Sequence, residues 1–124
     1  FDKISPFEAV RWVRRQPEVL VEGRWWKLRS AAGHSADTIV KLAKATAVRV
    51  PWTKRFEEDF FEVLTRLEQR APPNPVPLQL VDCASGESAE RVAAMTEDNR
   101  RECRRSHRAS PFAQIRWRVS MLEA

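Results

Sequence analysis

Phe56, Phe60, Val63, Leu64 and Leu67 recur at i, i+4, i+7, i+8 and i+11. That spacing lays five apolar side chains along one stripe of an α-helix and predicts a helix after Pro51. Its other side would carry Glu57, Glu58, Glu62 and Arg66, with Glu62 and Arg66 one turn apart as an ion pair. Ser5-Pro6-Phe7-Glu8 has the residue types of a capped helix start, with Ser at the cap, Pro at the first position and Glu three residues on. A helix is therefore expected to run to about Gln16, stopped by Pro17, with Phe7, Ala9, Val10 and Val13 on one face. Ser35 is the expected cap of another helix that reaches about Thr46 with Ile39, Val40 and Leu42 or Ala43 as its apolar positions. Thr96 should cap a short helix whose acidic first residues and basic end suit the helix dipole.

Elsewhere the period is two. β-type residues on both sides of Glu22-Gly23 predict a hairpin in which Trp26 and Leu28 face one way and Trp25, Lys27 and Arg29 the other. Val76, Leu78 and Leu80 alternate with neutral neighbours, residues 83–88 turn, and residues 89–95 can return as a second strand. Ile115, Trp117, Val119 and Met121 alternate with Gln114, Arg116, Arg118 and Ser120, which reads as a strand near the C-terminus. The Pro-rich stretch 71–77 is expected to be a rigid connection, since either flank alone is too small to hold a core. Strands grouped in hairpins and separated by helices predict a single α+β domain. It would have an antiparallel or mixed sheet of about four to five strands against about four helices.

Composition narrows the chemistry. With 3 Gly among 124 residues there are few positions for a phosphate-cradling loop, and no Walker, dinucleotide or helical metal motif is present. Cys83 and Cys103 have neither CxxC spacing nor paired histidines, so no metal site or cofactor is predicted, and their redox state stays open. No apolar run approaches the ~20 residues of a membrane span. The chain starts at Phe1 without Met, so the expectation of a cytoplasmic location stands beside an extracytoplasmic origin after removal of a leader.

Charge is placed unevenly. Residues 100–118 hold seven arginines against Glu102 alone, a local +6 within a total of +5, so the rest of the chain sums to −1. Arg100, Arg101, Arg104, Arg105 and Arg108 follow helical spacing and would form a guanidinium stripe, extended by Arg116 and Arg118. Planar guanidinium forks match phosphate and carboxylate, so these seven are the candidate anion-binding residues, with nucleic acid or an acidic protein as the expected partner. The competing expectation is a solvated face neutralised in part by the acidic side of the helix after Pro51.

Tryptophan beside arginine is also the pattern of a stacking platform for single-stranded nucleic acid. Arg24, Trp25, Lys27 and Arg29 form that secondary candidate, because Trp25 lies on the basic side of its strand while Trp26 and Trp117 share faces with apolar residues. Trp12 and Trp52 are expected to pack within helices. No catalytic residues are assigned. Glu57, Glu58, Asp59 and Glu62 read as a polar helix face, His34, Ser35 and Asp37 are too close in sequence for a triad, and Cys83 has no neighbouring histidine. The expected function is a non-enzymatic binding or interaction domain. Alternatives are a protein–protein module using an exposed sheet edge or apolar patch, and a small hydrolase-like enzyme with His34 or His107 brought beside Cys83 or a carboxylate.

Overall fold

The computed structural model describes residues 1–108. Strands β1 (Ala9–Val13), β2 (Gln16–Val21), β3 (Arg24–Ala31) and β4 (His34–Ser35) come first, followed by helices α1 (Ala36–Thr46), α2 (Trp52–Glu58) and α3 (Phe60–Glu68). The hairpin of β5 (Val76–Asp82) and β6 (Ser88–Ala93) then precedes α4 (Glu97–Arg108). All strands pair antiparallel in one sheet of order β1-β2-β3-β5-β6, with β4 attached to β3. This is the small α+β domain that the alternation of strand and helix patterns predicts. The strand expected over Gln114–Ser120 lies outside the described residues.

One sheet face is the core. Val19 and Val21, Trp26 and Leu28, and Leu78 and Leu80 alternate inward and join Ile39, Ala43, Phe56, Phe60, Val63 and Leu64 in a single buried cluster. Phe7, Phe56 and Phe60 sit at its centre with ring centroids 4.7–6.0 Å apart. The hairpins at Glu22-Gly23 and at Ser88–Ala93, and α1 with its Ser35 cap bonded to the Thr38 amide at 3.2 Å, stand where the sequence patterns put them.

The expected first helix is absent. Residues 9–13 are a strand, turned by Arg14 and Arg15 into β2, with Val13 opposite Gln16. Ser5 does not cap a helix, because its hydroxyl donates to the Glu57 carbonyl oxygen at 2.7 Å and accepts from the Phe7 amide at 3.3 Å. Its backbone pairs with Thr96. Released from helix initiation, Val10, Trp12 and Val13 follow their β preference and pair along an edge of the sheet.

The same Ser5 hydroxyl divides the predicted long helix. In an unbroken helix the Glu57 carbonyl would accept from the Phe61 amide four residues on. Here that carbonyl takes the Ser5 hydroxyl, and the Phe61 amide donates to Ile4 at 3.4 Å. Asp59, at φ −113° and ψ 33°, is the joint between α2 and α3. The apolar stripe survives because both helices keep it against the core, whereas the expected polar side does not. Glu57 and Glu58 are each 1% exposed, and Glu62 pairs with Arg55 rather than Arg66.

Candidate anion-binding surfaces

α4 carries the arginine stripe, and packing divides it into two rows. Among the described side chains of this helix only Cys103 enters the core, its thiol donating to the Phe7 carbonyl at 3.0 Å. The turn on either side of Cys103 faces the acidic end of α2. Arg104 Nε donates to Glu58 at 3.0 Å, and Arg100 Nε lies 3.6 Å from Asp59. These two arginines hold the helix in place. Arg101 and Arg105 point outward, where Asp98 and Glu102 of the same helix pair with them. Arg108 ends the described segment; Arg116 and Arg118 lie outside it. The thiol of Cys103 is pushed well above its ordinary value, first by burial and then by the charges of Glu57 and Glu58, so it stays protonated.

Trp25 lies on the sheet face away from the helices, as its alternation with Trp26 requires. It is half-buried rather than free. The Arg11 guanidinium sits 4.2 Å from its ring centroid while Arg11 Nε donates to Glu18 at 2.7 Å. An open depression of about 680 Å³ is lined here by Arg11, Arg24, Trp25, Asp82, Cys83 and Ser85. Arg24 pairs with Asp82 at 3.3 Å, and the backbone N–H groups of Ala84 and Ser85 hold the Asp82 carboxyl below the usual carboxylate range. The Cys83 thiol is raised by desolvation and by the Glu18 charge. Lys27 is exposed on the same face, and Arg29, also exposed, falls where the β3–β5 register shifts. Both arginines of the depression therefore already have carboxylate partners.

Of the titratable groups considered for catalysis, His34 is brought beside a carboxylate but not beside Cys83. His34 Nε2 lies 3.0 Å from Glu68, Ser35 caps α1, and the depression holding Cys83 contains no histidine among the described residues. No cluster of His, Cys, Asp and Glu among the described residues has the makings of a metal site, and no helix there is long and apolar enough to cross a membrane.

A third surface was not visible in the linear charge count. Residues 9–17 and 38–56 contain eight cations, Arg11, Arg14, Arg15, Lys41, Lys44, Arg49, Lys54 and Arg55, and no acid. Folding joins the two stretches through Trp12, whose ring meets Trp52 edge-on at 4.9 Å and Phe56 at 5.1 Å. Lys44 Nζ stands 4.6 Å over the Trp52 ring. The hairpin tip Arg14-Arg15 follows Trp12 directly along the chain, and the α1–α2 loop leads into Trp52, with Val48 73% and Val50 42% exposed and Arg49 between them. None of Arg14, Arg15, Lys44 and Arg49 forms an ion pair with a described residue.

Comparisons with protein-family models, curated proteins and solved structures return no match. The functional reading rests on geometry alone.

Proposed function

We propose that the protein is a non-enzymatic binding domain for an anion-bearing partner, and that its main recognition surface is the corner built on Trp12 and Trp52. The convergence of two acid-free stretches carries this reading: Arg14, Arg15, Lys44 and Arg49 belong to the segments joined by the Trp12–Trp52 packing, and none of them forms an ion pair with a described residue. Unpaired charge is what a phosphate- or carboxylate-bearing partner, such as nucleic acid or an acidic protein, gains most from. By the same criterion α4 contributes less, since Arg100 and Arg104 clamp α2 while Arg101 and Arg105 face carboxylates of their own helix. The depression at Trp25 is a secondary site, supported by Lys27 exposed on the same sheet face but weakened by the pairing of Arg11 and Arg24.

Retention on immobilised heparin, followed by titration of single-stranded RNA and polyglutamate across ionic strength, tests the reading. The variant Arg14→Gln/Arg15→Gln/Arg49→Gln should elute at lower salt than the wild type, and its salt slope on RNA should fall by about 0.7 for each phosphate that it no longer neutralises. Arg101→Gln/Arg105→Gln should elute close to the wild type. The reverse order would move the site to α4. A second reading, strand addition to a partner, is supported by β6, which among the described residues ends the sheet order and exposes Val92. Binding of that kind would be insensitive to salt.

A further inference from the structure

We infer that the partner of the Trp12–Trp52 corner is an anionic lipid surface, on which the α1–α2 loop docks with Val48 and Val50 seated at the headgroup–acyl boundary. The inference rests on the anion-binding reading above and adds a partner class to it. Four large hydrophobic residues are exposed among the described residues, namely Phe1, Val48, Val50 and Val92. Two of them are two positions apart on one loop, with Arg49 between and the half-buried Trp52 next to Pro51. Aliphatic side chains raised among unpaired cations are the composition of an interfacial anchor: the apolar tips leave water while lysine and arginine meet the lipid phosphates and carboxylates. Indole at the same level suits the interface, since its apolar body and N–H favour the boundary between acyl chains and water.

The geometry favours lipid over nucleic acid. A base-stacking site needs a free aromatic face. Here the Trp12 ring is held edge-on between Trp52 and Phe56 with its Nε1–H donated to Glu57 at 3.2 Å, and Lys44 stands over Trp52. The groups left exposed at the apex are valines, which neither stack on bases nor hydrogen-bond to them. Those valines gain only from an apolar environment, and a bilayer boundary supplies one beside negative charge.

Flotation of the full chain with vesicles tests this. One set is phosphatidylcholine alone and the other phosphatidylcholine and phosphatidylserine in equal parts, with brominated acyl chains to report indole depth. The wild type should float with the phosphatidylserine vesicles only, with quenched and blue-shifted tryptophan emission. Val48→Ser/Val50→Ser should reduce the partition by about tenfold or more, as expected when two apolar side chains no longer enter the boundary, and should leave heparin retention unchanged. Arg14→Gln/Arg15→Gln/Arg49→Gln should reduce it by about fivefold for each cation and should also lower heparin retention. All five positions are exposed, so neither variant opens the core. Partition unaffected by the valine changes, or heparin and RNA binding without flotation, would overturn the lipid proposal while leaving the anion-binding reading in place. A wild type that binds neither vesicles, heparin, RNA nor polyglutamate would overturn both.

Discussion

Arginine is an unfavourable choice for both central positions of a two-residue hairpin turn. The β2–β3 turn uses Glu22-Gly23 and the β3–β4 turn Ala32-Gly33, each with a glycine second at φ 74° and 82°. The β1–β2 turn instead places Arg14 and Arg15 at positive φ, where a residue with a Cβ costs about 1–2 kcal/mol. Arg14→Asn/Arg15→Gly should therefore raise stability by about 1 kcal/mol in a denaturant titration, while lowering retention on heparin. An unchanged midpoint would mean that the arginines are not strained there. A stabilised variant that kept full retention would detach the turn from anion binding. Residue types alone did not mark this turn. "RR" is a poor turn signal, and Val10 and Val13 fit a helical spacing as readily as Val10 and Trp12 fit a strand.

Elements whose signals are local were legible in the sequence. α1 keeps its serine cap, α4 its threonine cap with the Asn99 amide bonded to Thr96 Oγ1 at 3.0 Å, and the two glycine-containing hairpins keep their alternation. Elements decided at long range were not. Ser5 has the identity of a helix cap but commits its hydroxyl to a carbonyl 52 residues away, which removes one helix and divides another. The acidic residues of α2 look solvent-facing in sequence because their partners, Arg104 and Trp12, are distant along the chain. This makes α4 a helix docked mainly by polar groups around one buried thiol. Glu58→Gln should loosen that docking by about 1–3 kcal/mol, the cost of weakening a buried charge-assisted bond. A thiol reagent would read it. In the wild type Cys83 should react while Cys103, buried and held protonated, is protected; in the variant Cys103 should become reactive through local opening with the Cys83 rate unchanged. Equal protection of Cys103 in both proteins would show that the ion pair does not hold α4.

At the scale of the whole molecule, charge counted along the chain and charge gathered in space give different answers. The count drew attention to residues 100–118, yet each of the four arginines there whose side chain is described faces a carboxylate. The surplus arises where β1 and the α1–α2 loop meet, and the packing of Trp12 on Trp52 brings those stretches together. Acid-free runs flanking tryptophans were present in the sequence as a signal, but a hairpin misread as a helix hid the packing that joins them. The most direct test is a two-dimensional amide and indole NMR spectrum of the full chain, titrated at low salt with a short heparin oligosaccharide. If the Trp12–Trp52 corner is the anion site, shifts concentrate at residues 12–16 and 44–54 and at the indole N–H signals of Trp12 and Trp52, with the buried Trp26 signal unmoved. Shifts centred instead on residues 97–106, with the Trp12 and Trp52 signals still, would contradict it.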